Sequence, residues 1–202
     1  AQRARELVVL EGSEYYKLML LRQFKASQRK LWPVLETTPE KAMSDVRRYL
    51  DQTQRSFDLI MLDMPGTVSA PGVFRVLAEL DYIFVPMKAD KLVMESAVSF
   101  AKAVNEQLVQ NPDYNLRGLR MFWTMIDRRE RTPLYEQYEK ALDIFHLPRL
   151  KTQIPYRSRF NKEILDAKGS IGRSTLFPAE KTFAQEAQIG ALAQEILSIF
   201  EV

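Results

Sequence analysis

Three short apolar runs, each followed by a segment with helical spacing, constrain the fold more than any other feature of the sequence. They occupy 57–62 (FDLIML), 82–86 (YIFVP) and 119–126 (LRMFWTMI). Apolar runs of this length that are bounded by turn residues predict strands buried on both faces, which is typical of parallel sheets. Alternation of such strands with long helices predicts βαβ units. The sequence therefore predicts an α/β fold with a three-layer, mostly parallel twisted sheet and helices on both faces.

The remaining segments are assigned from their spacing and their helix-start and turn residues. Residues 1–30 are predicted to be helical, and a short strand is predicted at 31–35, where Pro33 favours an edge position. A fourth buried strand is predicted at 150–154, and 166–178 has the composition of a linker. Helices are predicted over 37–52, 68–80, 92–110, 133–145 and 179–200. Asp90 is predicted to cap the helix at 92–110.

Composition limits the chemistry that the chain can perform. With 202 residues, of which 46% are hydrophobic, it can bury one sizeable core, so a single domain over 1–202 is predicted. The sequence has no cysteine and one histidine, His146, which argues against thiolate or histidine metal sites and against a histidine-based catalytic triad. No apolar run is long enough for a membrane span and no signal peptide is recognisable, so a cytoplasmic protein is predicted.

Asp63 is the first candidate for chemistry. It follows the apolar run 57–62, and the carboxyl ends of strands are where open α/β sheets bind ligands. A carboxylate in this position can hold Mg²⁺ through a water molecule. Pro65 and Gly66 then give a sharp loop that can approach a ligand closely. The alternative is that Asp63 only caps the helix that follows.

Four strand-end motifs, taken in order, resemble those of the ParA/MinD family of deviant Walker A ATPases. They are DMPG at 63–66, VP at 85–86, IDRR at 126–129 and IPYR at 154–157. Three further segments are similar to the ParA-type TraA proteins of Bacteroides conjugative transposons: SEYYK at 13–17, TPEKA at 38–42 and RSTLFP at 173–178. The resemblance covers nearly the whole chain.

The resemblance implies a P-loop NTPase-like fold, binding of ATP and Mg²⁺, and a homodimer switched by nucleotide. It makes Asp63 the Walker B acid, which orders Mg²⁺ through water and so serves both catalysis and metal binding. The residues carried over as nucleotide-binding are Pro65, Gly66, Asp127, Arg128, Pro155 and Tyr156. The residues themselves leave an alternative open, in which Asp127 is a turn or cap residue and Tyr156 a packing aromatic.

Basic residues form two clusters at or just after predicted strand ends. ParA-like proteins bind DNA without sequence preference through such surfaces, by neutralising phosphates. The net charge of +3 permits this role. The alternative is a solvated rim, because Glu130 and Glu163 dilute the clusters. The candidate DNA-binding residues are Arg129, Arg131, Arg157, Arg159 and Lys162.

The chain departs from the family at its signature P-loop, KGG-x-GK-[ST], which does not occur in this sequence. That motif is expected to precede these residues, with 1–11 as a helix that follows a later motif. The strand at 57–62 would then need a partner strand from the missing part, from another chain or from another segment. The stretch 168–175 (KGSIGRST) has the spacing of the P-loop motif. No buried strand is predicted before it, so it is predicted to be an unrelated loop.

Two functions follow from this pattern. The first is a ParA/MinD-like ATPase of a mobile element, involved in DNA partitioning or conjugative transfer, with non-specific DNA and a ParB-like or conjugation protein as partners. The second is an interaction or DNA-binding module that works without nucleotide and is catalytically inactive as given.

Overall fold

The computed structural model describes residues 6–11, 33–65, 70–127, 129, 133–161 and 181–200. The chain divides into two compact units, residues 1–79 and residues 80–202. A single domain over 1–202 stays a prediction. None of the helices in the described part of the chain is long and apolar enough to cross a membrane.

The first unit is built on three parallel strands. They are β1 (Glu6–Glu11), β2 (Val34–Thr37) and β3 (Leu59–Leu62). The central strand is β1, which pairs with β2 on one edge and with β3 on the other. Two helices accompany them, α1 (Ala42–Thr53) and α2 (Val73–Ala78).

The prediction that 1–30 is helical is wrong for β1. Its run of four apolar residues, LVVL at 7–10, contains two β-branched valines, and such runs favour a strand when neighbouring strands can pair with them. The rest of the predicted helix lies outside the described residues. Because β1 is parallel to β3, one edge of β3 has a partner from the described chain. A further partner strand for β3 stays a prediction.

Strand β3 is less buried than its sequence predicts. Ile60 and Leu62 pack with Val46 of α1 in one hydrophobic cluster, together with Leu35, Tyr49, Leu50 and Phe57. Side chains alternate along a strand, so Met61 points to the opposite face, where it is 48% exposed. The prediction of a strand buried on both faces is therefore wrong, because α1 covers only one of them.

The second unit begins with two parallel strands, β4 (Tyr82–Met87) and β5 (Gly118–Trp123). Between them, α3 (Lys91–Val104) continues as a π-helix, Asn105–Val109. Asp90 caps α3 by accepting a hydrogen bond from the Val93 N–H at 3.1 Å, which confirms its predicted capping role. The later elements are α4 (Pro133–Ile144), the 3₁₀ turn Ser158–Asn161, α5 (Lys181–Glu186) and α6 (Ile189–Ile199).

In the described part of the chain the five strands are parallel to their partners, and a helix follows each of β2, β3, β4 and β5, so the predicted α/β class is confirmed. The core of the second unit lies where α3 and α4 pack on β4 and β5. Its fully buried side chains include Met87, Met94, Ala101, Leu108, Leu119, Met121, Trp123 and Leu142.

Two predicted elements of the second unit differ in the structure. The helix predicted over 179–200 is two helices, because Gln188 adopts a left-handed conformation (φ 58°) that separates α5 from α6. Residues 150–154, predicted to be a strand, do not form one, and isolated parallel bridges lie directly on either side of them, Met121 with Arg149 and Ile126 with Pro155. The predicted linker and the KGSIGRST stretch lie outside the described residues.

Candidate functional site

Asp63 follows the last residue of β3, and its side chain is exposed. The following helix, α2, has Gly72 as its N-cap, so the alternative that Asp63 caps that helix is wrong. Pro65 is half-buried, and Gly66 lies outside the described residues. The exposed carboxylate of Asp63 is available to a hydrated cation or another polar ligand.

The chain leaving β5 is tied to the end of β4. The backbone N–H and the hydroxyl of Thr124 both donate to the Met87 carbonyl, at 2.7 and 3.0 Å. Met125 follows with φ 56° and a 49% exposed side chain. A non-glycine residue in this conformation is strained, and such strain concentrates at functional sites.

Two candidate loops are joined directly beyond Met125. The Ile126 N–H donates to the Ile154 carbonyl at 3.1 Å, and the Tyr156 N–H donates to the Ile126 carbonyl at 2.9 Å. This bridge places Asp127 next to the Pro155–Tyr156 segment. Pro155 is buried, whereas the Tyr156 side chain is 40% exposed. Three of the predicted nucleotide-binding residues, Asp127, Pro155 and Tyr156, are thus brought together by backbone hydrogen bonds.

Asp127 and Arg129 form one ion pair. The Oδ1 atom of Asp127 accepts from the Arg129 backbone N–H and from its Nε, each at 3.0 Å. The Oδ2 atom accepts from Nη2 of Arg129 at 2.7 Å. These bonds favour the charged carboxylate, and the Arg129 side chain, followed by its backbone N–H, lowers the pKa of Asp127 to about 2. The sequence assigned the two residues to different ligands, whereas the structure pairs them.

The pairing predicts a specific pH dependence. Because the folded-state pKa of Asp127 is depressed from 3.8 to about 2, the pair is intact above pH 4 and is lost as pH falls through about 2. A carbon-13 NMR titration of the Asp127 carboxyl is expected to give that midpoint. In the Arg129→Ala variant the midpoint is expected to rise towards its ordinary value. The same midpoint in both proteins would contradict the pairing.

Asp127 also lines a cavity of about 590 Å³ between β5, α4 and Gln153. Among its described lining residues Lys140 is the one cation, and Asp127, Glu136, Glu139 and Asp143 are acidic. These described residues suit a neutral base or sugar better than phosphate groups. The remaining lining residues are Trp123, Ile126, Tyr135 and Gln153.

Of the five predicted DNA-binding residues, the structure describes three. Arg129 pairs with Asp127, as above. Arg157 donates to two backbone carbonyls, those of Tyr156 at 3.3 Å and Glu186 at 3.4 Å. The Arg159 guanidinium lies 5.0 Å from the centre of the Phe183 ring. Arg131 and Lys162 lie outside the described residues, as does Arg128 of the nucleotide-binding set.

Sequence reasoning missed the polar side chains that support these loops. Glu139 of α4 accepts a hydrogen bond from the Trp123 indole and pairs with Arg149, which also bonds Asp143 at 2.6 Å. Glu195 of α6 accepts two backbone N–H groups of the 151–152 segment. The i,i+4 spacing of Glu139 and Asp143 was a local signal for a shared cation. Nothing local indicates the partners of Glu195, which are more than forty positions away in sequence.

Comparison with known proteins gives likenesses of structure. No protein-family model matches the chain, and no curated protein matches it. The MinD cell division protein of Aquifex aeolicus is similar with a TM-score of 0.52 at 12% identity, over 78% of this chain and 72% of that one. A plasmid partition protein of Borrelia burgdorferi is similar with a TM-score of 0.50 at 13% identity, over 80% of each chain. The MinC:MinD complex of Aquifex aeolicus is similar with a TM-score of 0.50 at 12% identity, over 78% of this chain and 72% of that one.

The strand pairing and these likenesses define the class of the protein: an α/β protein with parallel strands and candidate ligand-binding residues at their carboxyl ends. More particularly, the fold is that of MinD and plasmid partition proteins. The α/β fold with a parallel sheet that the sequence resemblance implied is therefore confirmed.

Proposed function

We propose that the chain is part of a ParA/MinD-like ATPase of a mobile element, a nucleotide-switched dimer that acts in DNA partitioning or conjugative transfer. The observation that carries the proposal is the Ile126–Pro155 bridge, which joins the two loops that the family resemblance assigns to the base. The likeness to MinD and a partition protein supports it at the level of the fold. Function depends on the site rather than on the fold, so the site residues carry the tests.

Asp63 suits the proposed Mg²⁺ role. Mg²⁺ keeps several waters and is commonly held by one or two carboxylates together with substrate phosphates. Among the described residues no group of three or more histidine, cysteine, aspartate or glutamate side chains could hold a metal alone. A single exposed carboxylate after β3 fits a water-mediated contact of that kind. When bound, Mg²⁺ neutralises developing phosphate charge, while Asp63 orders the water in its shell.

The second unit supplies the proposed base site. Asp127 offers a carboxylate edge, and the half-exposed ring of Tyr156 offers an apolar surface beside it. The neighbouring cavity is large enough for a base with its sugar, and its described lining contains one cation, Lys140. In this proposal the phosphates are bound by a P-loop that is not among these 202 residues.

The proposed partners follow from the same family. Homodimerisation would complete the nucleotide site, and Arg129, Arg131, Arg157, Arg159 and Lys162 would contact DNA phosphates. A ParB-like or conjugation protein is proposed as the regulator. The MinC:MinD complex shows that a protein of this fold assembles with a protein partner.

We expect the full-length protein to bind and hydrolyse ATP with Mg²⁺, and Asp63→Asn to reduce hydrolysis roughly 100-fold, as expected when a group that stabilises developing charge is removed. Phosphate release is the measurement, and binding of a fluorescent ATP analogue at millimolar Mg²⁺ is measured in parallel. Asp51→Asn is the matched control, because Asp51 is an exposed carboxylate on α1 of the same unit.

The outcomes separate the two candidate functions. Binding and hydrolysis that depend on Asp63, but not on Asp51, support the ATPase. A full-length protein that binds no nucleotide would overturn the ATPase and leave the nucleotide-independent interaction or DNA-binding module. Equal rates of ATP hydrolysis by Asp63→Asn and wild type would show that Asp63 has no role in the reaction.

A further inference from the structure

Glu195 makes an unusual contact for a helix side chain, because both carboxylate oxygens bind backbone amides of a distant segment. Its Oε1 accepts from the Lys151 N–H at 2.6 Å, and its Oε2 accepts from the Thr152 N–H at 2.7 Å. Hydrogen bonds to a charged carboxylate are roughly twice as strong as those between neutral groups. One side chain of α6 therefore holds two consecutive residues of another segment.

The held segment leads directly into the candidate base loop. The Leu150 N–H bonds the Met121 carbonyl at 2.8 Å, and the Ile154 N–H bonds the Trp123 carbonyl at 2.8 Å. Glu195 binds two of the three amides that lie between these anchors, those of Lys151 and Thr152. The segment from Leu150 to Ile154 is thus fixed by β5 at its ends and by Glu195 in between, and it leads into Pro155 and Tyr156.

The helix that carries Glu195 is itself attached to the sheet. Phe200, next to the end of α6, packs edge-on against Tyr82 of β4 with ring centres 5.0 Å apart. It also lies 6.2 Å from the Phe84 ring. The position of Glu195 is therefore set by β4, and the position of the 151–152 backbone follows from Glu195.

The carboxylate is also maintained in its charged form. Partial burial opposes the charge, but the hydrogen bonds from Thr152 and Lys151 outweigh it, so the pKa of Glu195 lies below its ordinary value. The acceptor is therefore ionised at neutral pH.

We propose that Glu195 is a positioning residue for base recognition: by fixing the 151–152 backbone, it holds Pro155 and Tyr156 where a nucleotide base contacts them. This inference rests on the proposed nucleotide-binding function. A site held in advance binds more tightly because less ordering is left for the ligand to bring about. Glu195 itself need not touch the ligand.

The test compares affinities of the full-length protein for Mg-ATP and for Mg-tripolyphosphate, which lacks base and sugar. Glu195→Ala is expected to weaken ATP binding about tenfold and to leave tripolyphosphate binding unchanged. Glu195→Gln keeps one acceptor oxygen and is expected to fall between wild type and alanine. Gln194→Ala, an exposed neighbour on α6, is the control and is expected to bind both ligands like wild type.

Amide hydrogen exchange at Lys151 and Thr152, measured without ligand, reports the two hydrogen bonds to Glu195 directly. This exchange is expected to accelerate in Glu195→Ala. Equal weakening of ATP and tripolyphosphate would show a general structural role and overturn the proposal. If wild type binds ATP and Glu195→Ala binds it with the same affinity, the inference about Glu195 is overturned and the proposed function is not. No ATP binding by wild type would overturn both this inference and the proposed function.

Discussion

Replacing Gly72 with alanine is expected to lower the free energy of unfolding of the first unit by about 3 kcal/mol. Gly72 has φ 81°, a left-handed conformation that is strained for any residue with a Cβ atom. A Cβ atom there would lie 2.7 Å from the backbone nitrogen and 2.8 Å from the Cα of Glu40. Backbone atoms cannot rotate away as a side chain can, so the turn before α2 or the Glu40 segment must shift.

Gly190→Ala is the matched control, because a Cβ atom on Gly190 meets no heavy atom within 4 Å. Gly190 lies in α6, where alanine is favoured over glycine by roughly 0.5–1 kcal/mol, so this variant is expected to be slightly more stable. Urea unfolding followed by far-UV circular dichroism measures both variants. A Gly72→Ala protein as stable as wild type would show that the Glu40 segment yields without cost.

Trp123→Ala is expected to cost about 4 kcal/mol in the second unit. Trp123 is 1% exposed at the end of β5, and its ring packs edge-on against Tyr135 at 5.1 Å between centres. Its indole N–H donates to Glu139, which also pairs with Arg149. Truncation would remove a large buried side chain and leave Glu139 without one of its donors.

Trp123→Phe separates packing from hydrogen bonding. The phenyl ring keeps most of the volume, so this variant is expected to lose only about 1–2 kcal/mol, mainly from the missing indole donor. Glu139→Gln retains an acceptor for the indole but removes the charge that pairs with Arg149. Urea unfolding of the three variants measures the difference. Equal losses in Trp123→Phe and Trp123→Ala would assign the whole effect to the hydrogen bond and contradict the packing argument.

The sequence predicted most helices and strands because their signals are local. Asp90 before α3 is a capping residue in both the prediction and the structure, since an N-cap depends on residues within one helical turn. The apolar runs of β4 and β5 likewise predicted parallel strands. These features depend on residues that are close in sequence, so they can be predicted from one sequence alone.

Errors arose where the outcome depends on distant residues. The LVVL run of β1 was assigned to a helix, although it lies between β2 and β3 in a sheet that only long-range pairing creates. Met61 was assigned to a buried strand face, yet α1 covers only the other face. Gln188 divides the last predicted helix through a left-handed backbone conformation that its residue type does not indicate.

The candidate site shows the same division. Sequence alone selected Asp127, Pro155 and Tyr156 through their family motifs, and the Ile126–Pro155 bridge joined them. It could not show that Arg129 neutralises Asp127, because side-chain ion pairs depend on the backbone path of the loop. Nor could it reveal the partners of Glu195.

By itself, the sequence determined the α/β class, the order of strands and helices from β2 to α4 and the acid that follows β3, because these are set by short-range periodicity and turn residues. Only the tertiary structure decided which strand is central, which face of β3 is covered and which charges are paired. Hydrogen bonds and side-chain packing between residues far apart in sequence set those features, and no local pattern records them.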